Sequence, residues 1–415
     1  MADVFLSAGV RTPFVKAGGV YARRSALELS IPVAQRMRAQ ARPDLLVWGQ
    51  VIPDPTVSNI ARELVFEAGL EPTIPAYSTV LACSTSFMAT LQAAGLIGRG
   101  GMHLALVGGV ESMSHVAIAL KYPVAERLLG EFASNPASAL ESFKKLTPAD
   151  FDLPTKGWAN RVSGRTMGEH MEETAKELGI SREEQDRRAL LSHQSAIRGQ
   201  DSGFFRDLII PFAGIDHDTF PRRDTSLEKL AKLPAVFDRA SGSITAGNSS
   251  PLTDGAASIW VGDSEGLARL GAKPAVKLVD WEVDAVDFRV DGMLMAPARA
   301  IPRLLARHRL RAEEIALWEI HEAFAAQLIA NLKAAADAVY RHEKAGVDFH
   351  IGSFPVDRIN PNGGSIALGH PFGSTGARIL SQAVKELTAM SVGARGVVSV
   401  CADGGQGTVA LLQRV

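Results

Sequence analysis

Four short apolar runs, Val4 to Ala8, Leu104 to Val107, Ile259 to Val261 and Val397 to Val400, are spread along the chain and read as strands buried on both faces. Between them lie longer stretches with apolar residues at helical spacing, such as Ser84 to Leu96, Ala300 to Leu305 and Ala377 to Leu387. Strands alternating with helices restrict the chain to an α/β fold whose sheets are covered by helices. With 415 residues, 46% of them hydrophobic, there is enough chain for two cores or one large double core.

The interval from about 115 to 245 breaks this rhythm. It is more polar and poor in strand-like runs. Ser181-Arg182-Glu183-Glu184 is a capping box that starts one helix, and another ends near Gly179. We read the interval as a helical loop domain inserted in the first half of the fold. That makes 1–268 an N-terminal half and 269–415 a C-terminal half. One echo between them points to duplication: Ala105-Leu106-Val107-Gly108-Gly109 and Ser399-Val400-Cys401-Ala402-Asp403-Gly404-Gly405 are both strands running into Gly-rich turns.

Charge excludes some functions. The 44 basic and 45 acidic residues leave a net charge of −1, so no global field favours nucleic acid or an anionic membrane. No apolar run approaches the roughly 18–20 residues that cross a bilayer. The first residues lack the layout of a secretory signal, and Leu412-Gln413-Arg414-Val415 is no recognisable address, so a cytoplasmic chain is expected. Two cysteines are too few for a disulfide framework or a four-cysteine zinc site.

Each cysteine sits among small residues beside a likely strand end. Cys83, in Leu81-Ala82-Cys83-Ser84-Thr85-Ser86, comes at or just before a helix start. The partial positive charge there is expected to stabilise a thiolate and lower the thiol pKa from its usual value of about 8.5. The competing reading is a buried cysteine acting as a small hydrophobe. Cys401 ends the strand Gly396 to Val400 and opens a turn whose backbone N–H groups can converge on an oxyanion. The stretch NGGSIALGHPFGSTGAR (362–378) frames His370 between Gly369 and Pro371, presenting the imidazole from a tight loop. It lacks the lysine of a P-loop and the spacing of a dinucleotide fingerprint. His321, in HEAFA (321–325), has Ala325 four residues on, so this is no zinc-protease helix. Two cysteines and one loop histidine supply a nucleophile, a base and a second acid/base, the minimum for covalent acyl transfer with a carbanion partner.

Taken together, these segments resemble the thiolase family. Cys83 in its ACSTS setting, VGGVESMS (107–114), GSITAGNSSPLTDGAA (242–257), HEAFAAQ (321–327), NPNGGSIALGHPFGSTGAR (360–378) and CADGGQG (401–407) follow the family's order, and RTPFVKAGG (11–19) fits its first strand and turn. The resemblance implies a five-layered αβαβα fold of two similar halves, and at least a homodimer or homotetramer. It implies that Cys83 attacks the 3-ketoacyl thioester while His370 assists its deprotonation, and that Cys401 protonates the departing enolate or, in reverse, removes an α-proton. One oxyanion hole would be lined by His370 and a water near His321, the other by the N–H groups of Cys83 and Asp403. Ser250 and Met167 match positions near the pantetheine arm of coenzyme A, and Arg222 one near its nucleotide. No metal or resident cofactor is implied; acyl-CoA is the substrate.

Three features depart from the usual pattern. Most thiolases have asparagine at position 321; the histidine resembles β subunits of trifunctional complexes, which raises a hydratase/dehydrogenase α subunit as a partner. Asp403 stands where glycine or alanine is usual. Residues 121–160 follow none of the family's patterns. A decarboxylating 3-ketoacyl synthase shares the fold and the nucleophile but has no counterpart of Cys401. A silent CoA- or lipid-binding or scaffolding relative would have no reason to keep competent side chains at all these positions.

Overall fold

The computed structural model describes residues 2–152 and 159–415. The four apolar runs become longer strands: β1 (Phe5–Arg11), β3 (Leu104–Glu111), β4 (Thr253–Gly262) and β7 (Arg395–Ala402). They are joined by β2 (Leu45–Gly49), β5 (Val276–Ala285), β6 (Leu317–Ile320) and β8 (Gln406–Arg414). The helices that cover them are α1 (Ala26–Arg38), α2 (Ile60–Glu67), α3 (Thr85–Gly98), α8 (Ala296–Arg307), α9 (Ala325–Ala336) and α10 (Thr375–Thr388). The inserted interval supplies α4 (Tyr122–Ser134), α5 (Pro136–Phe143), α6 (Met167–Glu177) and α7 (Arg182–Asp201).

Duplication is visible in the connectivity. In the first half the strands lie in the order β2-β3-β4-β1, and in the second β6-β7-β8-β5. In both, the first pair is parallel and the other two pairs antiparallel. The order of elements also repeats, with β1-α1-β2-α2-α3-β3-β4 matching β5-α8-β6-α9-α10-β7-β8. The echo in the sequence falls on equivalent strands, β3 and β7. The halves are stitched edge to edge where Phe5 and Leu6 pair with Lys277 and Val276, so their sheets form one path.

Successive side chains of a strand point to opposite faces, and here both faces are buried. Val47 and Val107, with Val398 and Val400 from the other half, share a core with Phe87, Leu91, Ile379 and Leu387 of α3 and α10. Their strand neighbours Leu46, Trp48 and Leu106 pack outward on Leu29, Val33 and Leu64 of α1 and α2. Val397 and Val409 pack outward on Ile301, Leu304 and Leu328 of α8 and α9. The layers are therefore outer helices, sheet, a central pair α3 and α10, sheet, and outer helices. Strands sandwiched on both faces explain the continuous apolar runs in the sequence.

The central helices approach most closely at their first turns. A Cβ on Gly376 would lie 2.2 Å from the backbone nitrogen of Phe87. Duplication thus brings two helix N-termini together near the middle of the molecule.

The insertion begins its longest helix as the sequence indicates: Ser181 caps α7 in a capping box with Glu184, and Gly179 takes φ +58° just after α6. α7 is fixed to the second half by a buried ion pair. Arg188 donates through Nε to Glu322, 2.9 Å, and Ser192 and Asn360 donate to the same carboxylate at 2.7 and 2.8 Å. Removing one partner of a buried pair leaves the other charge uncompensated. Arg188→Leu is therefore expected to lower stability by roughly 3–5 kcal/mol, measured by denaturant unfolding. α4 and α5 pack on each other and leave Tyr122, Leu129, Phe132, Leu140 and Phe143 exposed. The unmatched stretch 121–160 falls partly on 153–158, outside the described residues. Among the described residues no helix is long and apolar enough to cross a membrane.

Candidate active site

Cys83 is carried on a tight turn into α3. Ala82, just before it, takes φ +44°, a left-handed conformation that strains a residue with a Cβ. Thr85 holds the turn: its Oγ1 accepts from the Leu81 N–H and donates to the Ala82 carbonyl, both at 2.8 Å. Cys83 lies one residue before the N-cap, Ser84, whose own hydroxyl pairs with Thr408 of β8 instead of capping the helix.

His370 comes from the loop that enters α10, the counterpart of the Cys83 turn. Gly369 takes φ +99°, and a Cβ there would lie 2.9 Å from Phe220 and Thr253, so the imidazole's approach depends on glycine. The His370 backbone N–H donates to Thr253 Oγ1 at 2.9 Å, while Leu252 bridges to the same residue. His321 follows β6 directly, its N–H donating to the Ser399 carbonyl of β7. The two imidazoles lie with ring centroids 4.1 Å apart. One nitrogen of each ring and Cys83 Sγ all fall within 4.8 Å of one another. Nδ1 of each ring is hydrogen-bonded, to Thr375 Oγ1 at 2.6 Å for His370 and to Ser365 Oγ at 2.8 Å for His321. Both Nε2 atoms are buried and have no hydrogen-bond partner among the described residues.

The tautomer of His370 follows from proton counting. Thr375 has one hydroxyl proton and donates it to the Pro371 carbonyl at 2.9 Å. Its oxygen must then accept from His370 Nδ1–H, which leaves Nε2 with a free lone pair. That is the form a base needs.

Electrostatics correct one expectation from the sequence. The helix start does not depress the Cys83 thiol: burial pushes its pKa up to about 12, and the charge of Asp403 adds to this, against smaller opposing contributions from the Asp403 and Cys83 N–H groups. Burial, then the charge of Arg378, brings His370 down to about 3. The resting pair is a neutral thiol beside a neutral imidazole. Thiolate grows only toward the raised pKa, so alkylation of Cys83 by iodoacetamide should climb about tenfold per pH unit from pH 7 to 10 without a plateau. A plateau near pH 8 would mean that the helix field prevails.

Cys401 is buried at the end of β7, and its thiol is raised well above the ordinary value by burial and by the closeness of the Cys83 thiol. The N–H groups of Asp403 and Cys83, the pair expected to form an oxyanion hole, both lie near the Cys83 sulfur. The Asp403 carboxylate accepts from Asn160 Nδ2 at 2.8 Å and from the Gly404 N–H at 2.6 Å. That ties the inserted domain to the turn beside the site.

Of the residues expected near coenzyme A, Ser250 donates its N–H to the carbonyl of Ala323, within HEAF, at 2.9 Å. Met167 opens α6 and packs on the cluster holding Cys401, Met295 and Phe324. Arg222 stands apart, exposed on the rim of a 320 Å³ cavity shared with Arg198 and Arg223.

Sequence reasoning missed several supporting groups. Glu111, ending β3, accepts from the N–H groups of Val51, Ile52 and Gly373, linking the His370 loop to the first half. Arg378, Gln382 and Glu386 form a buried polar row along α10. Their spacing of four in a helix otherwise dominated by small and apolar residues was a readable signal.

A paired cysteine and imidazole at the meeting point of two helix N-termini, with a second buried thiol behind, define a cysteine-dependent acyl-transfer site. Residues 4–264 match the family description "Thiolase, N-terminal domain" and residues 272–414 match "Thiolase, C-terminal domain". The chain is 36% identical over 422 residues to a 3-ketoacyl-CoA thiolase of Yersinia enterocolitica, covering 99% of this chain and 96% of the relative. It superposes on the Bacillus anthracis acetyl-CoA acetyltransferase with a TM-score of 0.83 at 30% identity, over 100% of this chain and 99% of that one. It also matches the Ascaris suum Acat5 thiolase, solved in complex with coenzyme A, with a TM-score of 0.79 at 25% identity over 100% of both chains. The chain belongs to the thiolase family.

Proposed function

We propose that this thiolase cleaves 3-ketoacyl-CoA with free coenzyme A to give acetyl-CoA and a shortened acyl-CoA, and runs the reverse Claisen condensation with the same residues. The observation that carries the reading is the Cys83–His370–His321 cluster with Cys401 buried beside it.

In the thiolytic direction, His370 Nε2 takes the Cys83 proton as the sulfur attacks the 3-keto carbon. The C3 oxygen that gains charge sits beside that sulfur, where the N–H groups of Cys83 and Asp403 are placed to hold it. The bond between C2 and C3 breaks, and Cys401 gives its proton to the enolate carbon of acetyl-CoA. The enolate oxygen that forms as acetyl-CoA departs lies among the imidazoles, where in this reading His321 donates to it through Nε2. Incoming coenzyme A loses its thiol proton to Cys401, attacks the acyl-cysteine, and Cys83 leaves with the proton held on His370. No metal or resident cofactor enters these steps.

Ser250 and Met167 flank the pantetheine path, and Arg222, with Arg198 and Arg223, offers positive charge to the nucleotide phosphates. The division into halves at 268 and 269 belongs to the same reading, supported by the repeated strand order. So do a homo-oligomeric state, a cytoplasmic location and a possible hydratase/dehydrogenase partner suggested by the histidine of HEAF. Purified protein should show CoA-dependent loss of acetoacetyl-CoA or of a longer 3-ketoacyl-CoA, and the preferred chain length sets the substrate. No turnover with any chain length would leave a binding or scaffolding relative as the better account.

A further inference from the structure

The position of His321 carries a choice that an asparagine would not. An amide has a fixed donor, whereas a neutral imidazole carries its proton on either nitrogen. If the proton sat on Nδ1, Nε2 would present a lone pair to the developing oxyanion and repel it.

The groups behind His321 decide the matter. Ser365 Oγ lies 2.8 Å from His321 Nδ1 and 2.7 Å from Arg378 Nη2. A guanidinium only donates, so it occupies a lone pair of the serine oxygen. The serine proton then has one acceptor among the described residues, His321 Nδ1. That nitrogen must be unprotonated, and the proton lies on Nε2, the buried atom with no partner. His370 is arranged the opposite way, because Thr375 spends its proton on the Pro371 carbonyl and accepts from Nδ1–H. Two hydroxyls, each behind one imidazole, thus set one ring as a base and the other as a donor.

We infer that Ser365, held by Arg378, is a positioning residue that locks His321 in the Nε2–H tautomer, so that the ring meets the substrate oxygen as a donor. This rests on His321 serving as an oxyanion donor, the role given to it above.

Arg378 sits on the buried face of α10, near enough to Glu319 to feel its charge, and Glu319 accepts from Gln382 Nε2 at 3.1 Å. Burial lowers the Arg378 pKa only to about 10, so it remains a cation at neutral pH. Burial, then His370 and the Arg378 charge, hold His321 well below its ordinary pKa. Both imidazoles therefore stay neutral, which is the condition under which a choice of tautomer matters.

The test labels the protein with [15N]histidine and reads long-range 1H–15N correlations at neutral pH in wild type, Ser365→Ala and Ser365→Thr, beside steady-state thiolysis. A His321→Asn sample assigns the signal. Wild type is expected to show one His321 tautomer with a hydrogen-bonded, pyridine-like Nδ1. In Ser365→Ala the Nδ1 signal should lose its hydrogen-bond shift and the second tautomer should appear. Over the same change kcat should fall about tenfold with KM nearly unchanged, and Ser365→Thr should restore both readouts. A wild-type ring protonated on Nδ1 would overturn the inference, as would a Ser365→Ala protein whose His321 spectrum and kcat match wild type. The spectra need no substrate. A failure of the thiolase reading would therefore appear separately, as absent turnover in wild type with its His321 spectrum intact.

Discussion

Cys83→Ala is expected to abolish thiolysis, with kcat falling on the order of 10⁴-fold or more, while the fold is retained. The size of the effect follows from covalent catalysis: without the Cys83 sulfur paired with the His370 base, the acyl-enzyme cannot form there. Nothing in the surroundings requires the sulfur for folding, since the turn is held by Thr85 and by the Leu81–Ser84 backbone bond. Melting temperature should stay near that of wild type, so lost activity can be read as lost chemistry. Initial rates of acetoacetyl-CoA cleavage, together with a thermal melt of the same samples, check this. Activity within tenfold of wild type would place the nucleophile elsewhere.

Cys401→Ala should separate two half-reactions. General acid and base contributions run from about 10² to 10⁴, so complete turnover is expected to fall by about 10³. Acylation of Cys83 by a simple saturated acyl-CoA involves no carbanion; Cys401 serves there only to protonate a coenzyme A thiolate, which leaves without that help, so a stoichiometric release of coenzyme A should persist. A thiol released in amounts equal to enzyme, followed by almost no turnover, is the expected trace. Equal losses in both half-reactions would instead mean that Cys401 supports the position of Cys83. Because Cys401 is buried in a close-packed cluster with Met295 and Phe324, Cys401→Ser is the better control for volume.

Much of this site was legible because its chemistry needs rare residues in tight settings. The chain has two cysteines, and both stand at the ends of elements next to glycine or small residues. Gly369 is required by its φ and by the closeness of Phe220 and Thr253, so the loop around His370 could be read from glycines alone. The strands were visible because both faces are buried, and the capping box of α7 was visible because it is local. What remained hidden depends on distant parts of the chain. The thiol of Cys83 is raised because protein surrounds it and Asp403 lies near, and neither can be inferred from a helix start. The closeness of the His321 and His370 rings, 4.1 Å between centroids, joins two segments far apart in the sequence. Ser365 and Arg378 sat in the most conspicuous stretch of the sequence, but their meaning appears only when both touch one hydroxyl. The ion pair of Arg188 with Glu322 joins residues 134 positions apart, beyond any local pattern.

The central claim is that the acyl group passes through Cys83, and mass spectrometry tests it most directly. Protein mixed with acetoacetyl-CoA and quenched before free coenzyme A accumulates should carry an acetyl group on the peptide containing Cys83. Added coenzyme A should discharge it as acetyl-CoA. Turnover that proceeds with no adduct at Cys83, or with the adduct on Cys401, would contradict the account.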